Sequence, residues 1–358
     1  MDDIEFDDDG FEIIPSEQQD ETEDTSTYEI ISYGADFTLT VLHDKMNDGK
    51  IVVPDFQRRY VWNINQGSRL VESFLLGLPV PGIFLAKEKD TGNLLVLDGQ
   101  QRLVTCKAFR EEMFPITNRV FSLKNVNEKW LGKKYSELDP SDQNRFDDSV
   151  LRATITQQIH PEDDTSIYHI FQRLNTGGTI LQNQEIRNCL YHGNFNDMLR
   201  ELNLNETWRD LYNSRKPNKR MKDEELILRF LALHYNFKNY SKPMNEFLSK
   251  FMDNNRNISM EKSNSMKKIF IDTISYIYRE VGIPAFRPRG NINSAAFDSI
   301  TYIVANFKSE LNDNIADNIQ KLFQDSGYLK AIAEGTTDPE TIKNRLEITK
   351  KYLLKHEM

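Results

Sequence analysis

The hydrophobic periodicity of the chain changes near its middle, and this change constrains the fold more than any other feature. In the first half, short apolar runs such as 83–86 and 94–97 flank the turn sequence Asp-Thr-Gly-Asn, which is typical of a β-hairpin. In the second half, apolar residues recur at helical spacing, as at Leu226, Phe230 and Leu233. The sequence therefore predicts an α+β protein, with a mixed α/β core at the N-terminal side and a mainly helical C-terminal domain.

The same patterns predict the other elements of the first half. Alternating or β-branched runs predict strands, and helical spacing predicts helices; the strands are expected over 51–53, 114–123 and 150–159, and the helices over 38–46, 70–78, 163–174 and from about 183. The strand at 94–97 leads directly into the polar residues 98–102, and a helix is expected after them. The local order is thus a strand, a tight polar turn and a helix.

Acidic residues dominate the N-terminus: residues 1–24 contain twelve acids and no base. Such a segment cannot bury enough apolar surface to offset its ordering entropy, so residues 1–34 are predicted to be an acidic disordered tail. The alternative is an acidic arm that occupies a basic groove in competition with nucleic acid. The other residues hold 43 of the 55 acids against 45 bases, so the acidic pI does not exclude a nucleic-acid ligand.

Domain boundaries and cellular location follow from the same composition. We expect an α/β core over 35–182 and a helical domain over 183–358. Two cysteines cannot form a disulfide framework and fit a reducing compartment. The longest uncharged stretch of the front half, 74–86, is too short and too interrupted by glycine and proline to span a bilayer. The N-terminus lacks a basic region and an apolar run, so we expect a cytoplasmic protein with no membrane partner.

Common nucleotide and metal motifs are absent from the sequence. It contains no Walker-type G-x-x-x-x-G-K-[ST], no G-x-G-x-x-G and no C-x-x-C, and its six histidines show no H-E-x-x-H or paired nuclease spacing. A P-loop, a zinc ribbon and a histidine-metal nuclease are therefore disfavoured.

The polar turn from Asp98 to Arg102 is the first candidate site, because a strand that feeds a helix N-terminus is where α/β proteins bind anions. Gly99 permits close approach of the backbone to a ligand. Asp98 is a candidate ligand for Mg²⁺, usually through water, and Arg102 a candidate clamp for phosphate oxygens. Gln100 and Gln101 can orient a water molecule or read a base edge. The alternative is structural: Asp98 caps the helix and Arg102 pairs with a neighbouring acid.

Two further segments combine residue types that suit phosphate or base contact. Gln57, Arg58 and Tyr60 belong to a stretch where arginines alternate with aromatic side chains, and the alternative is a surface loop anchored by its aromatics. Asn175 and Gly178 lie in a glycine turn that can cradle a phosphate or ribose, or can simply end a helix.

Three motifs, taken together and in order, resemble the N-terminal domain of the GmrSD-type restriction endonucleases, also catalogued as domain of unknown function 262. They are P-x-F-Q-R-x-Y-x-W at 54–62, L-D-G-Q-Q-R-L at 97–103 and F-x-x-L-N-T-x-G-x-x-L-x-x-x-E-I-R at 171–187. The D-G-Q-Q-R element is the most specific of them. The resemblance covers residues 35–190 closely.

The resemblance implies a ParB/sulfiredoxin-like α/β core with a nucleotide-binding and hydrolysis site at the D-G-Q-Q-R turn. It implies that Asp98, Gln100, Gln101 and Arg102 are nucleotide-binding or catalytic residues, and that Gln57, Arg58 and Tyr60 line the same cleft or a DNA-sensing surface. In the family this activity is tied to restriction of modified foreign DNA.

Two functions from different classes follow. The first is a Mg²⁺-dependent nucleoside triphosphatase whose nucleotide state gates DNA engagement. The second is a non-enzymatic DNA- or partner-binding module in which Arg58, Arg59, Arg287 and Arg289 contact phosphates. The family often carries a His-Asn-His-type nuclease domain, and the C-terminal half here lacks that histidine pattern. DNA cleavage by this chain alone is therefore not expected, and a separately encoded nuclease or a homo-oligomer is a candidate partner.

Overall fold

A computed structural model describes residues 29–53, 60–88, 91–160, 170 and 182–355. These residues fall into two compact units, one within residues 27–181 and the other within 182–358. Residues 1–28 of the predicted tail lie outside the described residues, as does most of the predicted helix over 163–174.

A five-stranded mixed sheet forms the centre of the first unit. Its strands are β1 (Glu29–Thr38), β2 (Ile51–Val52), β3 (Ile83–Lys87), β4 (Leu94–Asp98) and β7 (Val150–His160). Their order in the sheet is β1-β7-β3-β4-β2. β1 pairs antiparallel with β7, β7 parallel with β3, β3 antiparallel with β4, and β4 parallel with β2. A separate hairpin is formed by β5 (Met113–Phe114) and β6 (Arg119–Val120).

Strand β1 corrects the predicted boundary of the tail, because residues 29–34 belong to the sheet rather than to a disordered segment. The pairing with β7 extends from Glu29, opposite His160, to Thr38, opposite Val150. Backbone hydrogen bonds along this ladder, rather than apolar burial, hold the strand, since most of its side chains are exposed. A strand that buries so little gives a weak hydrophobic signal.

Four helices pack with the sheet in the first unit: α1 (Leu39–Asn47), α2 (Ile64–Leu76), α3 (Gln100–Arg110) and α4 (Pro140–Asp148). Their buried aromatic side chains meet edge to face, as Phe109 does with both Phe121 and Phe146, at centroid distances of 5.4 Å. α2 begins at a capping box formed by Asn63 and Gln66 and ends at Gly77 in the left-handed region. The helix ends at Leu76, two residues before the predicted end, and starts at Ile64, six residues earlier than the apolar spacing suggested.

The predicted strand over 114–123 is wrong. Two short strands and a turn take its place, because Asn118 adopts a positive φ of 50° and its amide donates to the Phe114 carbonyl at 2.9 Å. The polar stretch after it contains the helix α4, which carries Pro140 at its first position. The predicted strand over 150–159 is confirmed as β7.

The second unit is helical, as predicted. Its helices are α5 (Asn183–Leu190), α6 (Asn194–Asn203), α7 (Glu206–Tyr212), α8 (Lys222–Asn236), α9 (Met244–Asn254), α10 (Met260–Glu280), α11 (Ser294–Asn306), α12 (Ile315–Leu322), α13 (Ser326–Ala331) and α14 (Pro339–Leu353). Within the described ranges, none of the helices combines the length and the apolarity that a bilayer span requires. The predicted fold class, a mixed α/β core with a mainly helical remainder, is confirmed.

Candidate functional site

The turn between β4 and α3 depends on a glycine at position 99. Asp98 ends β4, Gly99 has a φ of 94°, and Gln100 begins α3. A Cβ atom on residue 99 would lie 2.3 Å from Cγ2 of Ile83 on the neighbouring strand β3. Both the left-handed backbone and this close approach exclude a side chain here. Gly99 therefore permits the tight turn that places the start of α3 directly after the carboxyl end of β4.

Asp98 and Arg102 form an ion pair across the first turn of α3. Nη2 of Arg102 donates to Oδ2 of Asp98 at 2.7 Å, and Nη1 donates to the carbonyl of Pro81 at 3.2 Å. The carboxylate side chain is 46% exposed and the guanidinium side chain is 16% exposed. The pair thus has one face on solvent, where a dissolved anion can compete with Asp98 for the guanidinium.

The start of α3 adds backbone donors to this pair. The first i to i−4 bond of the helix runs from the Leu103 amide to the Gly99 carbonyl at 3.0 Å. Amides that precede such a bond have no acceptor inside their own helix, and the helix dipole makes this end favourable for negative charge. The turn therefore joins a guanidinium, a helix N-terminus and a carboxylate within five consecutive residues.

Gln101 and Tyr60 connect the turn to the chain segment before α2. Oε1 of Gln101 accepts from the amides of Val61 and Trp62 at 3.1 and 3.3 Å. The buried Tyr60 hydroxyl lies 2.9 Å from Oγ1 of Thr105, which in turn donates to the Gln101 carbonyl. Burial raises the pKa of Tyr60. Both side chains therefore anchor the segment that follows residues 54–59. Among the described residues, the side-chain Nε2 of Gln101 has no hydrogen-bond acceptor and can contact a ligand.

The predicted site residues divide into two groups. Asp98, Gly99, Gln101, Arg102 and Tyr60 lie in one neighbourhood around the start of α3. Half-buried Gln100 belongs to the same turn. Gln57, Arg58, Asn175 and Gly178 lie outside the described residues.

The structural alternative for Arg102 is partly realised, since its acidic neighbour is Asp98 itself. Sequence reasoning missed the carbonyl of Pro81, which is the second acceptor for Arg102 and comes from a segment 21 positions earlier in the chain. The only sequence signal for it is the Pro-x-Pro-Gly run before β3, which marks an irregular segment without naming its partner.

The described residues can supply a single carboxylate to a Mg²⁺ ion, but they do not form a complete set of protein ligands. In the described part of the chain, no three His, Cys, Asp or Glu side chains are grouped closely enough to hold a metal ion. A Mg²⁺ ion that arrives with a nucleotide needs only one or two protein carboxylates, because phosphate and water oxygens occupy the other positions. Asp98 suits this role through the carboxylate oxygen that does not accept from Arg102.

Comparison with known proteins shows that the turn lies in a segment that matches the model of a domain family. Residues 39–192 match the model of the "GmrSD restriction endonuclease, N-terminal domain", so the resemblance noted from the three motifs is confirmed over this segment. No curated protein matches the chain.

Solved structures similar to the chain include two ParB domains. One is a Pnob8-like ParB-N domain in its C2221 form, with 12% identity, a TM-score of 0.24, and coverage of 86% of this chain and 100% of that one. Another is a pNOB8-like ParB N-domain, with 13% identity, a TM-score of 0.25, and coverage of 90% and 98%. TM-scores this low define no common topology by themselves, so the architecture rests on the strand order given above.

Proposed function

We propose that the turn from Asp98 to Arg102 binds the phosphates of a nucleoside triphosphate and promotes their hydrolysis, and that the chain is a DNA-associated component of a prokaryotic restriction or phage-defence system. The single observation that carries the proposal is the solvent-facing Asp98–Arg102 pair at the start of α3, held above Gly99. The family match over 39–192, which includes this turn, supports the biological setting.

Phosphoryl transfer to water requires charge neutralisation and a positioned nucleophile more than covalent chemistry by the protein. In the proposed reaction, Arg102 donates to phosphate oxygens from its fixed position beside the Pro81 carbonyl. The amides of Gln101 and Arg102, in the first turn of α3, donate to the same phosphate group. A bound Mg²⁺ ion supplies further charge neutralisation, and Asp98 is the residue that would hold it.

The proposal assigns DNA cleavage to another polypeptide. The sequence of this chain shows no paired-histidine nuclease pattern, whereas a nucleotide-driven switch needs only a site whose occupancy changes. A separately encoded nuclease, or assembly with further copies of this chain, is part of the same proposal.

Phosphate release from ATP, GTP, CTP and UTP with Mg²⁺ tests the proposal, with and without DNA. We expect turnover of at least one nucleotide by the wild type and a loss of roughly 100-fold or more in Asp98→Asn, the scale typical for loss of a group that acts on developing charge. Glu111→Gln is the matched control, because Glu111 is a part-exposed carboxylate at the other end of α3 that pairs with Lys107. Equal rates for the wild type and Asp98→Asn would contradict the site assignment.

A second candidate is a binding module without hydrolysis. It is favoured by the observation that the functional groups of Gln101 and Arg102 already have partners inside the protein. The same assay separates the two functions. A binding module releases no phosphate from any of the four nucleotides, and its DNA binding is salt-sensitive but indifferent to nucleotide.

A further inference from the structure

Two loops of the helical unit enclose a cleft of about 480 Å³. One loop follows α7 and the other lies between α10 and α11. The residues that line the cleft are Tyr212, Asn213, Ser214, Lys216, Pro217, Asn218, Lys219, Arg287, Gly290, Asn291 and Ile292, and none of them is acidic. We call this feature the basic cleft.

Positive charge is concentrated on both walls. Residues 213–220 read Asn-Ser-Arg-Lys-Pro-Asn-Lys-Arg, and residues 287–292 read Arg-Pro-Arg-Gly-Asn-Ile. Arg215 pairs with Asp210 at 3.2 Å, whereas the exposed ammonium groups of Lys216 and Lys219 have no ion-pair partner among the residues that the structure describes. The two lysines therefore present uncompensated charge to the cleft.

Arg287 adds a third charge without a carboxylate partner in the described residues. Its Nη2 donates to the Tyr212 carbonyl at 3.0 Å, and its Nη1 donates to the Ile283 carbonyl. These neutral acceptors satisfy the donors but do not cancel the charge. Burial lowers the pKa of Arg287, although an arginine remains charged at neutral pH. An anion bound in the cleft would offset the free-energy cost of burying the charged guanidinium.

A buried ion pair fixes the first wall. Arg209 and Asp223 meet at 2.8 Å with side chains 4% and 0% exposed. Arg209 also donates to the Lys216 carbonyl at 3.1 Å, and Oδ2 of Asp223 accepts from the Asn218 amide at 2.8 Å. The backbone beside both lysines is therefore held by the core of the unit, and binding needs little further ordering of this loop.

The second wall is fixed by Asn293, which is fully buried. Its amide donates to the Phe286 carbonyl at 3.0 Å, its Nδ2 donates to the Ile332 carbonyl at 3.1 Å, and its Oδ1 caps α11 by accepting from the Ala296 amide at 2.8 Å. Both walls are therefore preformed.

We infer that the basic cleft binds the phosphodiester backbone of a nucleic acid. The exposed Lys216 and Lys219 and the half-buried Arg287 suit phosphate oxygens. Because these three charges lie on the two walls of a cleft of about 480 Å³, they can contact more than one phosphate of a strand. Because the proposed contacts are to phosphate oxygens, which are the same for every base, binding is expected to be independent of base sequence. The cleft lies in residues 212–292, beyond the matched family segment, and it deepens the proposed DNA association by naming a surface for it.

The test is DNA affinity of the full chain as a function of salt, measured by fluorescence anisotropy with a labelled duplex. Lys216→Gln/Lys219→Gln removes two phosphate contacts, so log K against log salt should become less steep by roughly 1.8, and affinity should fall about tenfold at ordinary salt. Lys216→Arg/Lys219→Arg should bind as the wild type does. Lys268→Gln/Lys321→Gln is the matched control, because it removes two exposed lysines of the same unit that do not line the cleft.

Equal slopes for the wild type and Lys216→Gln/Lys219→Gln would overturn the inference. A variant that keeps its DNA affinity but loses binding of free ATP would also overturn it, since the cleft would then take a nucleotide rather than a strand. Phosphate release measured on the same preparations separates this inference from the proposed function. If the wild type hydrolyses a nucleotide but binds no DNA, only the inference about the cleft is contradicted. If DNA binding depends on the cleft but no nucleotide is hydrolysed, only the proposed nucleotide site is contradicted.

Discussion

Two arginine–aspartate pairs, one in each unit, have almost the same bond length and opposite surroundings. Arg102 and Asp98 meet at 2.7 Å with side chains 16% and 46% exposed, whereas Arg229 and Asp298 meet at 2.6 Å with side chains 4% and 2% exposed. A ligand can reach the first pair but not the second. The contrast teaches that exposure, rather than the pairing itself, separates a candidate binding group from a structural one.

The energetic consequences differ in the same way. An exposed pair contributes about 0–1 kcal/mol to stability, because water solvates both partners when the pair opens. Removing one partner of a buried pair costs about 3–5 kcal/mol, because the other charge remains buried and unpaired. Arg102 can therefore exchange Asp98 for a ligand with little loss of stability, whereas Arg229 cannot give up Asp298 without a large loss.

The largest expected effect comes from breaking the buried pair. Asp298→Leu should lower the free energy of unfolding by about 3–5 kcal/mol in urea denaturation, because it leaves the Arg229 guanidinium without its carboxylate. The double variant Arg229→Met/Asp298→Leu should recover most of this loss. If the single variant is as stable as the wild type, the pair is not structural.

A second prediction tests the rigid backbone beneath the exposed pair. Gly99→Ala should cost about 3 kcal/mol, because the new Cβ lies 2.3 Å from Ile83 and the backbone is left-handed. Gly77→Ala is the matched control, since it has a similar φ of 70° but no atom within 4 Å of its Cβ, and it should cost about 1 kcal/mol. Thermal or urea unfolding measures both, and equal costs would show that Ile83 does not restrict the turn.

A third, smaller effect concerns the anchor of the turn. Tyr60→Phe removes the hydroxyl that lies 2.9 Å from Thr105 and should destabilise the fold by about 1 kcal/mol. Tyr33→Phe, which alters a tyrosine that is 42% exposed, should leave the urea midpoint unchanged. A wild-type midpoint for Tyr60→Phe would mean that the hydroxyl does not hold this segment.

The smallest effect is a pH dependence at another partly exposed pair. Hydrogen bonds lower the pKa of Glu112 from its ordinary value of 4.5 to about 2, and the bond from Ser136 contributes more than the bond from Lys134. A carboxyl with a lowered folded-state pKa stabilises the fold above pH 4.5, and this contribution is lost as the pH falls towards 2. Glu112→Gln should therefore lose less stability than the wild type between about pH 7 and about pH 3. Parallel losses on acidification would contradict this assignment.

The turn and the sheet around it could be predicted from sequence because their signals are local. Two apolar runs around a Gly-Asn turn predict the β3–β4 hairpin, and the polar residues after β4 predict the start of α3. The role of Gln101 could not be predicted in this way, because its partners Val61 and Trp62 lie about 40 positions earlier.

The wrong predictions for residues 29–34 and 114–123 have a common physical cause. In both segments, contacts with other parts of the chain or the local backbone conformation determine the structure, and the hydrophobic pattern alone does not. Strand β1 exposes most of its side chains and is held by its ladder with β7, so the boundary of the tail could not be read from hydrophobicity. The segment 114–123 alternates like a strand, but the positive φ of Asn118 turns it back on itself. The basic cleft could be predicted only in part: the sequence indicated Arg287 as a phosphate contact, but Lys216 lines the same cleft only through the helical fold.

The most direct test of the central claim is nucleotide binding by calorimetry, using non-hydrolysable triphosphates with Mg²⁺. The comparison is between the wild type, Arg102→Met and Lys107→Met, since Lys107 is a base on the same helix that pairs with Glu111 away from the turn. Our account predicts that the wild type and Lys107→Met bind at least one nucleotide with similar affinity and that Arg102→Met does not. Equal binding by Arg102→Met and the wild type, or no binding of any nucleotide by the wild type, would contradict it.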